Sequence, residues 1–232
     1  VEYMNTQTGY GRDLKQDYLD NSTRLFSWLT EDDWSNILNF NYSLPAAENW
    51  NKPTNYARAL NIHGDLDRNI IIGIDQNGTR QDPKALIPAN SPYYRFTKTY
   101  RLMADAHDYT PATVLDPGIK TIAFFGHSLS HADYSYFQSI FDFYEIYSSQ
   151  IVLKFFYYVW DNDRADKIKV AQFTRIASLF QAYGETLDNK DHGKNLMHKL
   201  LLERRLQIIR IREGFKESNY PEGKESVYGY LS

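Results

Sequence analysis

One stretch of the sequence decides the fold: Ile119-Lys120-Thr121-Ile122-Ala123-Phe124-Phe125-Gly126-His127-Ser128. Its run from Ile119 to Phe125 is almost entirely apolar and follows the turn residues Asp116-Pro117-Gly118, which predicts a buried β-strand covered on both faces. Gly126 permits a tight turn, and apolar residues at helical spacing follow it. We therefore expect a strand, a turn and a helix here, with the ligand chemistry of the domain at the turn.

Downstream of this stretch the sequence alternates between helical and strand patterns. The segment Ser130-His131-Ala132-Asp133 resembles a capping box and predicts the start of a helix. Ile151 to Trp160 is a predicted strand, and the spacing of apolar residues from Val170 predicts a helix that ends near Gly184. We then expect a helix over Leu196 to Leu202 and a strand over Arg205 to Ile211.

Upstream, three short apolar runs and one helix start are recognisable. Ile37 to Ser43, Arg58 to His63 and Asn69 to Ile74 are predicted strands because they are short and are bounded by turn residues. Ser91-Pro92 predicts the start of a helix, since serine is a common cap and proline suits the first turn. The alternating order predicts an α/β fold in which a mostly parallel, Rossmann-like sheet is covered by helices.

The composition suits one large domain. The chain has 232 residues, of which 42% are apolar, so it is long enough to bury a substantial core. Residues 1–35 are polar with spaced apolar side chains, which predicts a helical cover segment. We assign residues 36–232 to the α/β domain, with a mixed C-terminal helix and strand.

Charge and residue usage narrow the classes of partner. The net charge is −3 with basic and acidic residues spread along the chain, so we expect no nucleic-acid partner. The sequence has no cysteine, which excludes disulfides and cysteine metal sites and is typical of a reducing compartment. Neither a membrane-spanning apolar run nor a signal-peptide pattern is recognisable. We therefore expect a soluble, cytoplasmic protein.

Polar residues follow three of the predicted strands, and a parallel sheet would bring these strand ends to one edge. They are Asn41, the pair His63-Gly64, and the turn Gly126-His127-Ser128. An imidazole side chain is suited to proton transfer near neutral pH, so His63 could act as a general base, while the N–H groups after Gly126 could hold an anion. The alternative is structural: the turn is a helix cap, and His63 and Asn41 satisfy backbone groups. We expect no metal site, because His63 with Asp65 and Asp67 offers too few ligands.

The same turn also allows a serine hydrolase. Residues 126–130 come within one residue of the nucleophile elbow G-x-S-x-G, in the strand-turn-helix context that the elbow requires. Ser128 would be the nucleophile, Asp161 the acid, and His192 or His198 the base. Against this reading, the last motif position is serine rather than glycine, and no glycine-rich segment upstream supplies an oxyanion loop.

Four segments and one acidic residue, taken in order and spacing, are characteristic of a known family. They are Leu38-Asn39-Phe40-Asn41-Tyr42-Ser43, Asn61-Ile62-His63-Gly64, Ile70-Ile71-Ile72-Gly73-Ile74, Phe125-Gly126-His127-Ser128-Leu129-Ser130, and Asp133. The set resembles the AbiH family of bacteriophage abortive-infection proteins, over residues 37–141 and more loosely through the strand at residues 151–160. The resemblance implies a phage-defence effector.

AbiH proteins are similar in turn to sirtuin-type domains that consume NAD, and this similarity implies roles for two strand-end residues. Asn41 would orient the nicotinamide ribose, and His63 would act as general base on a ribose hydroxyl or on water. Attack at the anomeric carbon would release nicotinamide. The resemblance thus implies NAD as cofactor or substrate, and an NAD glycohydrolase as the activity of the full-length protein.

The resemblance also implies a cofactor-binding set made of Gly64, Gly126, His127 and Ser128, which would contact the adenosine ribose or a phosphate. Two positions differ from the sirtuin pattern. Ser43 stands where sirtuins have an aspartate, and His127 replaces their threonine.

AbiH proteins normally open with a strand and a Gly-Asn-Gly-Phe-Asp segment, which this sequence does not contain. We therefore expect the C-terminal portion of a longer protein, with an incomplete fold that lacks its first strand. Such a fragment is expected to bind NAD poorly and to associate with itself or with the missing N-terminal portion. A further alternative is a non-enzymatic interaction or sensor module, in which the strand-end residues are only turns and caps.

Overall fold

The fold is built from parallel strands flanked by helices. The computed structural model describes residues 25–31, 35–41, 56–64, 70, 73–75, 86–105, 114–159 and 161–211. Within these ranges the order of elements alternates between strands and helices, and every strand pairing is parallel. The predicted α/β, Rossmann-like fold is confirmed.

The described strands form two small sheets. The strands are β1 Ser35–Asn39, β2 Tyr56–Asn61, β3 Thr121–Phe124, β4 Val152–Tyr158 and β5 Leu206–Ile211. β1 pairs with β2, and a second sheet has the order β3-β4-β5. The register places Asn39 opposite Asn61 and Phe124 opposite Phe155, so the carboxyl ends of paired strands lie side by side.

Four numbered α-helices, a further helical segment at residues 25–30 and several short helical turns surround the strands in the described ranges. The helices are α1 Lys98–Asp105, α2 Tyr134–Phe143, α3 Ala165–Thr186 and α4 Lys190–Leu202. Short 3-10 turns cover Tyr94–Phe96, His131–Asp133 and Asn162–Arg164, and residues 25–30 are helical within the predicted cover segment. No helix in this part of the chain has the length and apolar character needed to cross a bilayer.

The core lies between the three-stranded sheet and helices α2, α3 and α4. The predicted helical positions Phe137, Ile140, Phe141 and Tyr144 are all buried, as their spacing indicated. Aromatic rings join the layers: the Phe141 ring stacks on Phe180 of α3 with centroids 5.7 Å apart, and Phe124 of β3 stacks on Phe155 of β4 at 4.4 Å. Packed rings of this kind fix α2 against the end of β3.

The helix predicted to start at Ser91-Pro92 begins later. A 3-10 turn over Tyr94–Phe96 ends at Thr97, which is extended with ψ 150°. Thr97 forms a parallel bridge with Ile74, in which the Ile74 amide donates to the Phe96 carbonyl at 3.0 Å and the Lys98 amide donates to the Ile74 carbonyl at 2.9 Å. This long-range pairing interrupts the helix, so α1 begins only at Lys98.

The prediction that β3 is covered on both faces is wrong for the described strand. Thr121 and Ala123 are exposed, while Ile122 and Phe124 on the other face are partly buried. Phe125, just after the strand, is 42% exposed. Among the strands that the structure describes, β3 lies at the edge of its sheet, and it packs on α2 through only one face. Several other predicted features, including Ser43, Asp65, Asp67 and half of the predicted strand at residues 69–74, lie outside the described residues.

Candidate functional site

The carboxylate of Asp133 is the centre of a buried polar cluster. His63 Nε2 lies 3.3 Å from its Oδ1, and His127 Nε2 lies 3.2 Å from its Oδ2. The Lys98 ammonium contacts Oδ1 and also donates to the Ala132 carbonyl at 2.8 Å. Residues that follow β2, follow β3 and begin α1 therefore meet on one carboxylate, which we call the Asp133 cluster (His63, Lys98, His127 and Asp133).

The turn after β3 holds His127 in one orientation. Its Nδ1 accepts a hydrogen bond from the Leu129 amide at 2.9 Å, so the proton of the neutral ring is on Nε2 and is donated to Asp133. Gly126 has φ +70°, and Leu129 has φ 53° although it carries a buried side chain. A left-handed leucine costs about 1 kcal/mol. The bonds of the His127 ring and the burial of Leu129 offset this cost and keep the turn in place.

The capping box predicted at residues 130–133 is wrong. Neither Ser130 nor Asp133 makes a side-chain capping bond to its helical turn, because the Asp133 carboxylate is occupied by the cluster. The N-terminus of α2 is capped from elsewhere in the chain. Buried Asp75 accepts hydrogen bonds from the Ser135 amide at 3.1 Å and from the Ser135 hydroxyl at 2.6 Å.

Asp133 is held as a carboxylate. Burial raises its pKa, but the hydrogen bonds from His127, His63 and Lys98, together with the charge of Lys98, lower the pKa by more, so that it lies well below its usual range. The group is therefore ionised at neutral pH and serves as a fixed acceptor rather than as a proton donor. Such a carboxylate orients an imidazole and stabilises it when the ring takes up a proton.

Aromatic rings enclose the cluster. The Phe40 ring lies 4.7 Å from the His127 ring and 5.7 Å from the His63 ring, measured between centroids. The Tyr136 ring lies 5.8 Å from His63, and the Lys98 ammonium is 5.9 Å from the Tyr136 centroid. This apolar surround removes His63 from bulk water and strengthens the electrostatic interactions of the cluster.

An asparagine pair closes the ends of β1 and β2. Asn39 Nδ2 donates to Asn61 Oδ1 at 2.8 Å, and the Asn41 amide donates to Asn39 Oδ1 at 3.0 Å. Asn39 thereby fixes the backbone of Asn41, whose side chain is exposed. Asn61 lies two residues before His63, so the pair also anchors the start of the loop that carries the histidine.

Most of the chain matches a known protein family. The family model described as bacteriophage abortive infection AbiH matches residues 5–157 of the 232. This chain belongs to the AbiH family. No curated protein and no solved structure matches it. The whole Asp133 cluster lies within the AbiH range, whereas α3, α4 and β5 lie after it.

Of the residues predicted from the AbiH resemblance, His63 and His127 are brought together. Gly64 follows His63 with φ 73°, and Gly126 leaves open space where a side chain would be. Asn41 and Ser128 are exposed at the ends of their strands. Both ring nitrogens of His127 are engaged, so any contact it makes with a cofactor would come from its backbone. The cofactor-binding roles of these residues stay predictions.

The residues proposed for a serine hydrolase do not assemble. Asp161 accepts from the Asp163 amide at 3.0 Å and pairs with Arg164 at 3.2 Å. The His192 ring stacks on Tyr147 at 4.3 Å. Tyr147 precedes β4, so it lies at the edge of the sheet opposite the strand end that carries Ser128.

The sequence did not reveal which residues pair with His63 and His127 in the Asp133 cluster. Asp133 belongs to the family pattern but was assigned to a helix cap, and Lys98 carries no local signal at all. Nothing in the local sequence distinguishes Tyr136 from an aromatic residue that only packs. These three side chains come together only through the packing of α1 and α2 against the ends of β2 and β3.

Proposed function

We propose that this AbiH protein is a phage-defence effector in which the Asp133 cluster binds and hydrolyses a nicotinamide dinucleotide. The observation that supports the proposal is the pairing of His63 with an ionised, buried aspartate at the carboxyl end of a parallel strand. Ligands of open α/β sheets bind at this edge.

The pairing suits His63 to act as a general base. An ionised carboxylate only accepts hydrogen bonds, so the ring presents its Nε2 proton to Asp133 and Nδ1 becomes the acceptor for a substrate proton. Asp133 then stabilises the imidazolium that forms. In the proposed reaction, water attacks the anomeric carbon of the nicotinamide ribose and gives a proton to His63. The glycosidic C–N bond breaks, and neutral nicotinamide leaves with the electron pair.

The neighbouring strand ends would position the dinucleotide. Asn41 would orient the nicotinamide ribose, and the backbone of Gly64 and of the turn Gly126-His127-Ser128 would contact the adenosine ribose or the phosphates. Left-handed glycines at both places allow the backbone to approach a ligand closely.

The test is release of nicotinamide. Purified protein is incubated with NAD, and free nicotinamide is measured by chromatography. His63→Ala is expected to lower the rate at least about 100-fold, the usual effect of removing a general base. His198→Ala, which changes an exposed histidine on α4, is the control and is expected to leave the rate unchanged. No release by the wild-type protein contradicts the hydrolase proposal, and equal rates for His63→Ala and wild type contradict the role of His63.

A second candidate is a sensor module without chemistry. It is favoured by one observation, that the charges and the His127 ring of the Asp133 cluster are satisfied within the protein. This candidate predicts that cells carrying Asn41→Ala, His63→Ala or Ser128→Ala remain protected in a phage plating assay. Loss of protection together with loss of nicotinamide release favours the enzyme.

A further inference from the structure

Two buried hydrogen-bond donors, one on Tyr136 next to the His63 ring and one on Asn61 two residues before His63, have no partner among the described residues. The hydroxyl of Tyr136 and the amide nitrogen Nδ2 of Asn61 are both buried, and neither has a hydrogen-bond partner among the described residues. Buried donors are nearly always satisfied, because an unpaired one retains the full penalty of its desolvation. Each of these groups is therefore a candidate to meet an acceptor atom that the described residues do not supply.

The orientation of the Asn61 amide follows from its neighbours. The Asn41 amide donates to Asn39, so the accepting atom of the Asn39 side chain is its oxygen. Asn39 Nδ2 must then be the donor in its bond to Asn61, and Asn61 Oδ1 is the acceptor. The atom of Asn61 left without a partner is consequently a donor nitrogen.

Tyr136 presents a donor of the same kind next to the His63 ring. Its ring is 5.8 Å from the His63 ring. Burial raises the pKa of Tyr136, and the nearby charges of Asp133 and Asp75 raise it further. The phenol therefore keeps its proton at neutral pH and can donate it.

The charge balance at this place favours an uncharged acceptor. Lys98 is paired with Asp133, and the two unpaired donors are neutral groups. A phosphate would bring negative charge close to the Asp133 carboxylate without a further cation from the cluster. A sugar hydroxyl suits the place better, since it can accept from Tyr136 or Asn61 and donate to an imidazole nitrogen.

We infer that Tyr136 and Asn61 are ligand-binding residues that hydrogen-bond to a ribose hydroxyl of the nucleotide presented to His63. The identification of the sugar as ribose rests on the proposed function. The two donors would fix the hydroxyl whose orientation relative to His63 decides whether a proton can be transferred.

The experiment compares two tyrosines on the same helix. Tyr136→Phe removes the donor beside His63. Tyr134→Phe removes a hydroxyl that is also buried and unpartnered but lies on a ring stacked against His131. Binding of ADP-ribose and of NAD is measured by titration calorimetry, and the melting temperature of each variant is measured alone. Tyr136→Phe is expected to weaken ADP-ribose binding about tenfold, as loss of one hydrogen bond would, without lowering the melting temperature. Tyr134→Phe is expected to bind as the wild type does.

The outcomes separate the inference from the proposed function. Unchanged affinity in Tyr136→Phe, or an equal loss in Tyr134→Phe, overturns the inference and leaves the proposed function standing. Weaker ADP-ribose binding in Tyr136→Phe, in a protein that releases no nicotinamide from NAD, supports the inference and contradicts the proposed hydrolysis. A wild-type protein that binds neither ADP-ribose nor NAD contradicts both. Asn61→Asp keeps the bond from Asn39 and removes the second donor, so it is expected to weaken ADP-ribose binding by a similar factor.

Discussion

Asp133 and Lys98 depend on each other because both are buried. The Lys98 and Asp133 side chains are each 11% exposed, so each charge has lost most of its hydration. A buried charge is tolerated only when it is paired and hydrogen-bonded. Asp133 meets this condition through three donors, while Lys98 meets it through Asp133 and the Ala132 carbonyl.

Replacing Asp133 by asparagine is therefore expected to be strongly destabilising. The amide has almost the same shape, but it leaves the Lys98 charge buried without its counter-charge. Breaking a buried ion pair in this way costs about 3–5 kcal/mol. The free energy of unfolding is measured by urea denaturation. Asp188→Asn, at an exposed position between α3 and α4, serves as the control and is expected to change the free energy of unfolding only slightly.

The pH dependence of the stability difference between wild type and Asp133→Asn shows whether the lost charge causes it. The pKa of Asp133 is lowered in the folded state, so its contribution to stability is complete above the unfolded-state pKa of about 3.9 and declines as the pH falls below that value. The gap between wild type and Asp133→Asn should be fully developed at neutral pH and should shrink as the pH falls below about 4. A gap of constant size down to about pH 2 would argue that shape rather than charge explains the loss.

At the scale of single residues, the sequence predicted two of the four members of the Asp133 cluster. His63 and His127 were predicted because each follows a strand at a glycine-containing turn, and that is a local signal. The role of Asp133 was not predicted, because Ser-x-x-Asp before a helix is equally typical of a cap. Lys98 was not predicted, since its contact with Asp133 joins residues 35 positions apart.

Among the elements, α3 and α4 approach each other most closely at a pair of glycines. A Cβ atom added to Gly184 would lie 2.4 Å from the Gly193 carbonyl oxygen, and one added to Gly193 would lie 2.0 Å from that of Gly184. Both residues are buried. The two helix backbones are thus in direct contact, and no side chain can be placed between them.

Gly184→Ala is expected to destabilise the protein by about 2 kcal/mol or more, because overpacking forces the helices apart. Helix propensity alone predicts the opposite sign, a gain of about 1 kcal/mol. Thermal unfolding followed by circular dichroism decides between them. Ser178→Ala, on the exposed face of the same helix, is the control and is expected to be neutral or slightly stabilising. A higher melting temperature for Gly184→Ala would contradict the close contact.

Elements with strong periodicity were predicted well, and those shaped by distant pairing were not. The helix over Ala165–Thr186 and the strand over Val152–Tyr158 follow from apolar spacing that is visible locally. The late start of α1 arises from the bridge between Ile74 and Thr97, which no local pattern indicates. The exposure of β3 depends on the order of strands in the sheet, which also lies beyond local sequence.

On the scale of the whole molecule, the helical residues 25–30, at the start of the described chain, pack against β5, at its end. The Trp28 ring meets the Phe156 ring edge-on, with centroids 4.8 Å apart. Leu25, Trp28 and Leu29 all pack against a buried apolar cluster that is formed by Phe156 of β4 and Ile209 and Ile211 of β5. Glu31 pairs with Lys154 of β4 at 2.7 Å. This helix covers the face of the sheet formed by β4 and β5.

Trp28→Ala is expected to lower the free energy of unfolding by about 3 kcal/mol, the lower end of the range for removing a packed tryptophan. Urea denaturation followed by circular dichroism measures the loss without depending on tryptophan fluorescence. Leu202→Ala removes a side chain that is 85% exposed, and it is the control expected to have almost no effect. If Trp28→Ala lowers the free energy of unfolding only slightly, the helix at residues 25–30 contributes little to the stability of the domain.

The convergence of three separate chain segments on Asp133 has a thermodynamic consequence. Its partners are separated along the chain, so the Asp133 cluster cannot form in a partly folded molecule and appears only when the domain is complete. A small molecule that binds these groups binds only the folded domain, so it stabilises the domain by mass action. At a free concentration of 100 times its dissociation constant, it raises the free energy of unfolding by about 2.7 kcal/mol. A simple thermal-shift screen of nucleotides and sugars would therefore report binding at the Asp133 cluster as a rise in the melting temperature of the entire domain.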